Sequence, residues 1–155
     1  VVYDQDGNFV TEFGGPGIEA GQFSEPVDVF VSDDGLVYVT DTWNQRIQVF
    51  TPSSDLSEFL PVSDWNISGW YGGSNENKPF ITVDQSGKVY VTDPEGYRVI
   101  VFENNAGFFL LTWGSYGSES SQFNLPIGIA ADKEGRIWVS DSGNNRLMRF
   151  TLPAP

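Results

Sequence analysis

Apolar positions along this chain come in short runs of β-branched and aromatic residues, broken by glycine-containing turn pairs, and their lengths suit strands, not helices. Val27–Val31, Leu36–Thr40 and Ile47–Phe50 form one set; Phe80–Val83, Lys88–Thr92 and Val99–Phe102 a second; Ile127–Ala131, Arg136–Ser140 and Leu147–Phe150 a third. A fourth kind of segment is seen in Asn8–Phe13, Asp55–Leu60 and Gly107–Trp113. Asp6-Gly7, Asp34-Gly35, Ser86-Gly87 and Glu134-Gly135 supply the turn chemistry of tight hairpins. Each unit therefore reads as four antiparallel strands in roughly 45–50 residues. Runs such as Val99-Ile100-Val101-Phe102 are apolar on both faces, whereas a sheet with one wet face alternates. Both faces must be covered. Four-stranded units stacked on copies of themselves describe an all-β fold, the β-propeller, with about four to eight blades around a channel.

The same line is written three times, at Val37–Phe50, Val89–Phe102 and Ile137–Phe150. Its aspartates, Asp41, Asp93 and Asp141, stand 52 and 48 residues apart, each followed at the same distance by an arginine, Arg46, Arg98 or Arg146. Pro26, Pro79 and Pro126 open the units, and Gly35, Gly87 and Gly135 precede the aspartates. One active site does not need three copies of its residues, but three blades need three copies of their fasteners. The pairs read as clamps, in which the aspartate caps a turn and the arginine crosses to a neighbouring carbonyl or carboxylate. Charged ligand contacts lining one face of the ring are the competing reading.

Gly-x-Phe-x-x-Pro, then Gly-x-Val-Tyr-Val-Thr-Asp, then Asn-x-Arg-x-x-x-Phe resembles the NHL repeat, and Pro126–Phe150 lies close to that pattern. Asp28 where glycine is frequent, a one-residue contraction after Pro79, and Pro94-Glu95-Gly96-Tyr97 in the middle unit are departures that touch local turn geometry. The resemblance implies a ring of six blades. In strand order, residues 1–155 read as a single propeller segment: a partial blade over 1–13, blades over 14–62 and 63–114, and a blade over 115–155 lacking its last strand. About three blades cannot close a ring, so the end blades need cover. The chain is expected to be a segment of a longer protein. Alternatively, two copies join into one ring, Asn8–Phe13 of one completing the open blade of the other, or such exchanges run on into a fibre.

Composition narrows the chemistry. Acidic residues number 21 against 8 basic ones in 155, and the formal charge of −13 repels nucleic acids and anionic surfaces. Histidine and cysteine are both absent, which removes the Ser-His-Asp triad, the His-ligated zinc site and the thiolate nucleophile. No apolar run approaches the ~20 residues that cross a bilayer. Gly14–Gly21 lacks the glycine spacing and lysine of a phosphate loop, and Asp4–Gly7 lacks the further oxygens of a calcium loop and reads as a hairpin turn. No cofactor is expected; Ca²⁺ gathered from loops of several blades is the single exception this acidic chain leaves open.

Trp43, Trp65, Trp70 and Tyr97 are the candidate ligand-binding residues, because loop aromatics stack on sugars or hold protein partners, with burial against the next blade as their alternative. Trp65 and Trp70 lie in an insertion with Tyr71 and two further glycines, and Asn66-Ile67-Ser68 fits a glycosylation sequon. The expected function is a non-catalytic interaction module for a protein, peptide or glycan. Assembly through open blade edges is one alternative. The other, implied by the resemblance to a family that includes an amidating lyase and relatives with lactonase activity, is a piece of a propeller enzyme whose histidines lie elsewhere. Lys78–Phe102 also resembles propeller tails of some bacterial membrane-bound glycosyltransferases, which implies display outside a bacterial cell.

Overall fold

The computed structural model describes residues 1–70 and 78–152. Among these residues thirteen strands follow one another: β1 (Val2–Tyr3), β2 (Phe9–Thr11), β3 (Pro26–Val31), β4 (Val37–Asp41), β5 (Arg46–Pro52), β6 (Phe59–Asn66), β7 (Ile81–Val83), β8 (Val89–Asp93), β9 (Arg98–Phe102), β10 (Phe109–Trp113), β11 (Pro126–Ala131), β12 (Arg136–Asp141) and β13 (Arg146–Thr151). A single 3-10 turn, Ser142–Asn144, interrupts them among the described residues. They form sheets in the orders β1-β2, β3-β4-β5-β6, β7-β8-β9-β10 and β11-β12-β13, each neighbour antiparallel to the next. These are the blades of an open propeller.

Strand alternation explains why both faces are apolar. In the first full blade, Tyr38, Ile47 and Val49 face the middle blade and meet Ile81, Val83, Val89, Val91, Ile100 and Phe102 there. Tyr90, Val99 and Val101 leave the opposite face of that middle blade and meet Ile137, Val139 and Met148. Val37, Val39 and Phe50, on the far side of the first blade, pack with Phe13, Phe23 and Phe59. Each sheet thus sends one set of side chains forward and the other backward.

One aromatic step recurs at every junction. Phe13, two residues past β2, and Trp65 and Trp113, near the ends of β6 and β10, lean onto Phe50, Phe102 and Phe150 of the next blade, with ring centroids 5.3, 5.4 and 5.4 Å apart. That spacing is the favourable one for tilted and edge-on aromatic pairs.

The fourth strand of the first full blade begins later than the sequence suggests. Asp55 collects the hydroxyls of Ser53 and Ser57 and the Ser57 N–H, and Leu56 takes a left-handed φ of 59°, so this stretch stays in the turn. β6 therefore runs Phe59–Asn66 instead of Asp55–Leu60 and passes through the expected 62/63 division. Trp65 consequently sits in a strand and not in an insertion, while Tyr71 and the two glycines after it lie outside the described residues.

Candidate functional site

The turns β4–β5, β8–β9 and β12–β13 meet the loops that enter each blade, and the repeated charges sit at these meetings. Asp41, fully buried, accepts hydrogen bonds from the Ser24 N–H (2.7 Å), Asn44 Nδ2 (2.9 Å), Arg46 Nε (2.7 Å) and Gln48 Nε2 (3.1 Å). The far end of Arg46 donates to the carbonyls of Glu19 and Gln22, both at 2.9 Å. Asp141 repeats the pattern with the Asn124 N–H, Asn144 and Arg146, and Arg146 reaches the carbonyls of Glu119 and Gln122. Asp93 accepts from the Gly96 N–H and Arg98 Nε, and Arg98 donates to the Ser68 carbonyl. The three carboxylates belong to three different sheets, each engaged with its own turn and loop.

A left-handed residue precedes each arginine, and the three have φ of 54, 53 and 53°: Gln45, Tyr97 and Asn145. Asparagine tolerates this region well, whereas a tyrosine there is unusual. Tyr97 is half-buried and meets Tyr116 edge-on at 4.9 Å. Tyr116, 64% exposed, stands in the loop that enters the last blade.

The other aromatic candidates divide. Trp43 lies at the tip of the β4–β5 turn, 54% exposed, with its backbone N–H fixed to the Ser24 carbonyl. Trp65 is half-buried against Phe102, and a Cβ at Gly107 would strike its ring. Trp70 is 3% exposed and donates its Nε1–H to the Thr92 carbonyl at 3.3 Å, which leaves it no face for a ligand. Of the two readings of Trp70, ligand binding is corrected and burial against the next blade holds: its indole fills the junction between the first two full blades.

At the opposite end of the sheets, turn carboxylates hold the aromatic tips of the second strands. Asp84 accepts from the Tyr90 hydroxyl at 2.7 Å and Asp132 from Trp138 Nε1 at 2.8 Å. Partial desolvation opposes ionisation of Asp84, but the donors Ser86 and Tyr90 outweigh it and lower its pKa. Burial, and the nearby Asp34 charge, push Tyr38 up to about 12. Asp4 accepts from the N–H groups of Asp6 and Asn8, closing the β1–β2 hairpin. No group of three or more acidic side chains converges among the described residues.

The family model for the NHL repeat matches residues 23–50 and 123–150, the two segments that contain the Asp41–Arg46 and Asp141–Arg146 pairs. Two segments of the chain thus match the NHL repeat. Over 162 residues it is 25% identical to the NHL repeat-containing protein 3 of Mus musculus, which covers 97% of this chain and 44% of that protein. It is 29% identical over 149 residues to the E3 ubiquitin-protein ligase TRIM32 of Homo sapiens, covering 93% of this chain and 22% of that protein. The chain therefore spans less than half the length of either relative. Among solved structures, a streptogramin B lyase superposes with a TM-score of 0.56 at 16% identity, over 85% of this chain and 42% of that one. At that identity the likeness speaks for the fold alone.

Three contacts of the blades are not legible in the sequence. Tyr116 has Pro16 at its counterpart, so the repeat did not mark it. The aromatic step from fourth strand to next blade is carried by phenylalanine once and tryptophan twice, so identity hides it. Asp28, the departure from glycine, accepts the Ile81 N–H of the middle blade at 2.9 Å and becomes an inter-blade bond.

Proposed function

We propose that this NHL segment is a non-catalytic interaction module, and that its turn face binds a protein or peptide through Trp43, Tyr97 and Tyr116. One observation carries the reading. The repeated charged groups on that face are consumed by their own blades, whereas Trp43 and Tyr116 present more than half their surface to solvent at positions the repeat does not require. Rigid aromatic side chains on loops held by a stiff scaffold are the usual anchors of such interfaces. Acid–base chemistry with this chain's own groups would need a base in place of the absent histidine and a carboxylate with a free face. Asp41, Asp93 and Asp141 spend theirs on donors of the fold.

Peptide and glycan arrays probed with the purified chain test the proposal. Trp43→Ala and Tyr116→Ala should each weaken binding about 10-fold or more without changing the melting temperature. Retained binding in both variants, or turnover of ester, lactone or amidated-glycine substrates by this chain alone, would overturn it.

A further inference from the structure

We infer that the cleft between β6 and the β9–β10 hairpin binds one ring of a neutral saccharide. This is independent of the turn-face reading. The cleft encloses about 290 Å³, near the lower end for small-molecule sites, and its walls come from two blades that each have four strands.

It opens where the middle blade breaks the repeat. In the first full blade, Gln48 accepts the Gly21 N–H and donates to the Gln22 carbonyl, which draws the entering loop down onto the sheet. Ile100 holds that register position in the middle blade and has no polar atom with which to do so. The arginines follow suit. Arg46 meets two carbonyls of its loop and Arg146 three, whereas Arg98 meets one, that of Ser68, among the described residues.

The lining is sorted by chemistry along its length. At the β9–β10 turn, Phe109 pairs in register with Phe102 and is 63% exposed, a solvent-facing ring on which the C–H face of a pyranose stacks. At the β8–β9 turn lie the exposed amide of Asn66, the exposed hydroxyl of Ser68, and Arg98, with two of its five N–H groups bonded among the described residues. Between them Thr112 gives its hydroxyl proton to the Val99 carbonyl and keeps lone pairs to accept with. Trp65 Nε1–H is shut away from water without an acceptor, a state that costs a buried donor free energy. Trp113 repeats that orphan at the next junction, but beside Trp65 a cleft is present to receive an acceptor. A sugar ring carries the same division into apolar faces and hydroxyl edges. Charge selects a neutral one: Arg98 already pairs with Asp93 at 2.7 Å and the chain carries −13, so an anion gains little from the guanidinium and meets repulsion.

Nitrogen-15 NMR of the chain titrated with methyl glucoside, methyl galactoside and methyl N-acetylglucosaminide tests this. At least one glycoside should shift the Trp65 indole N–H and the amides of Ser68, Gly107 and Phe109, with a Kd of about 1 mM. Phe109→Ala removes an exposed side chain, so it should keep the melting temperature and raise that Kd about 10-fold. Trp43→Ala should leave it unchanged, which separates the cleft from the turn face. Absence of shifts with all three glycosides at ~50 mM, shifts confined to other residues, full binding by Phe109→Ala, loss of binding in Trp43→Ala, or glucuronic acid binding more tightly than methyl glucoside would each overturn the inference.

Discussion

Removing the carboxylate of Asp41 should cost far more stability than removing that of Asp93, although the sequence writes the two pairs alike. Asp41→Ala leaves the Arg46 guanidinium, whose side chain is only 9% exposed, with no anion nearer than the half-exposed Asp64 carboxylate at 4.0 Å, and strands donors on Ser24, Asn44 and Gln48. Taking one partner from a buried ion pair typically costs about 3–5 kcal/mol. Arg98 is 33% exposed and turns to water when Asp93 is lost, so the change there is confined to about 1–3 kcal/mol for hydrogen bonds to a charged group. At this chain length the first substitution lowers the melting temperature by roughly 6–20 °C. Urea unfolding followed by tryptophan fluorescence measures both. Equal losses, or a larger loss for Asp93→Ala, would refute the argument that burial of the partner arginine sets the strength of each clamp.

Two smaller tests bear on the same packing. Asp28→Ala deprives the Ile81 N–H of its acceptor across the first junction and should cost about 1–3 kcal/mol in the same unfolding assay, whereas an unchanged midpoint would show that water replaces the carboxylate. Tyr38, held up to about 12, and Tyr90, held higher still by burial and its bond to Asp84, are raised above the ordinary value of 10.0 in the folded state. Their contribution is whole below pH 10 and lost as pH rises through the folded value near 12, so tyrosinate absorbance should show a late class that ionises with unfolding and shrinks in Tyr90→Phe. A single titration near pH 10 would contradict it.

Much of this architecture is legible before any coordinates, because a propeller blade repeats its physics locally. Val99 to Phe102 could not face water on either side, and the sheets on both sides of them show why. What escaped is decided by contacts distant in sequence or by turn chemistry weaker than strand propensity. The Ser53–Asp55–Ser57 cluster delayed β6, although the Leu56, Phe59 and Leu60 pattern alone favours an earlier start. Trp65 and Trp70 are alike as tryptophans near a turn, yet one closes a strand against Phe102 and the other fills a junction under Thr92. Exposure at such positions depends on which blade comes next, and no local window contains that information.

Repetition itself separates scaffold from site. A side chain required in every blade, such as Asp41, Asp93 and Asp141, answers to a geometric demand that every blade shares, and its hydrogen bonds are spent within the chain. A side chain that breaks the repeat and remains exposed answers to something outside it. Trp43, Tyr116 and the Arg149–Trp138 pair are of that second kind, at two different surfaces: the turn face and the open sheet.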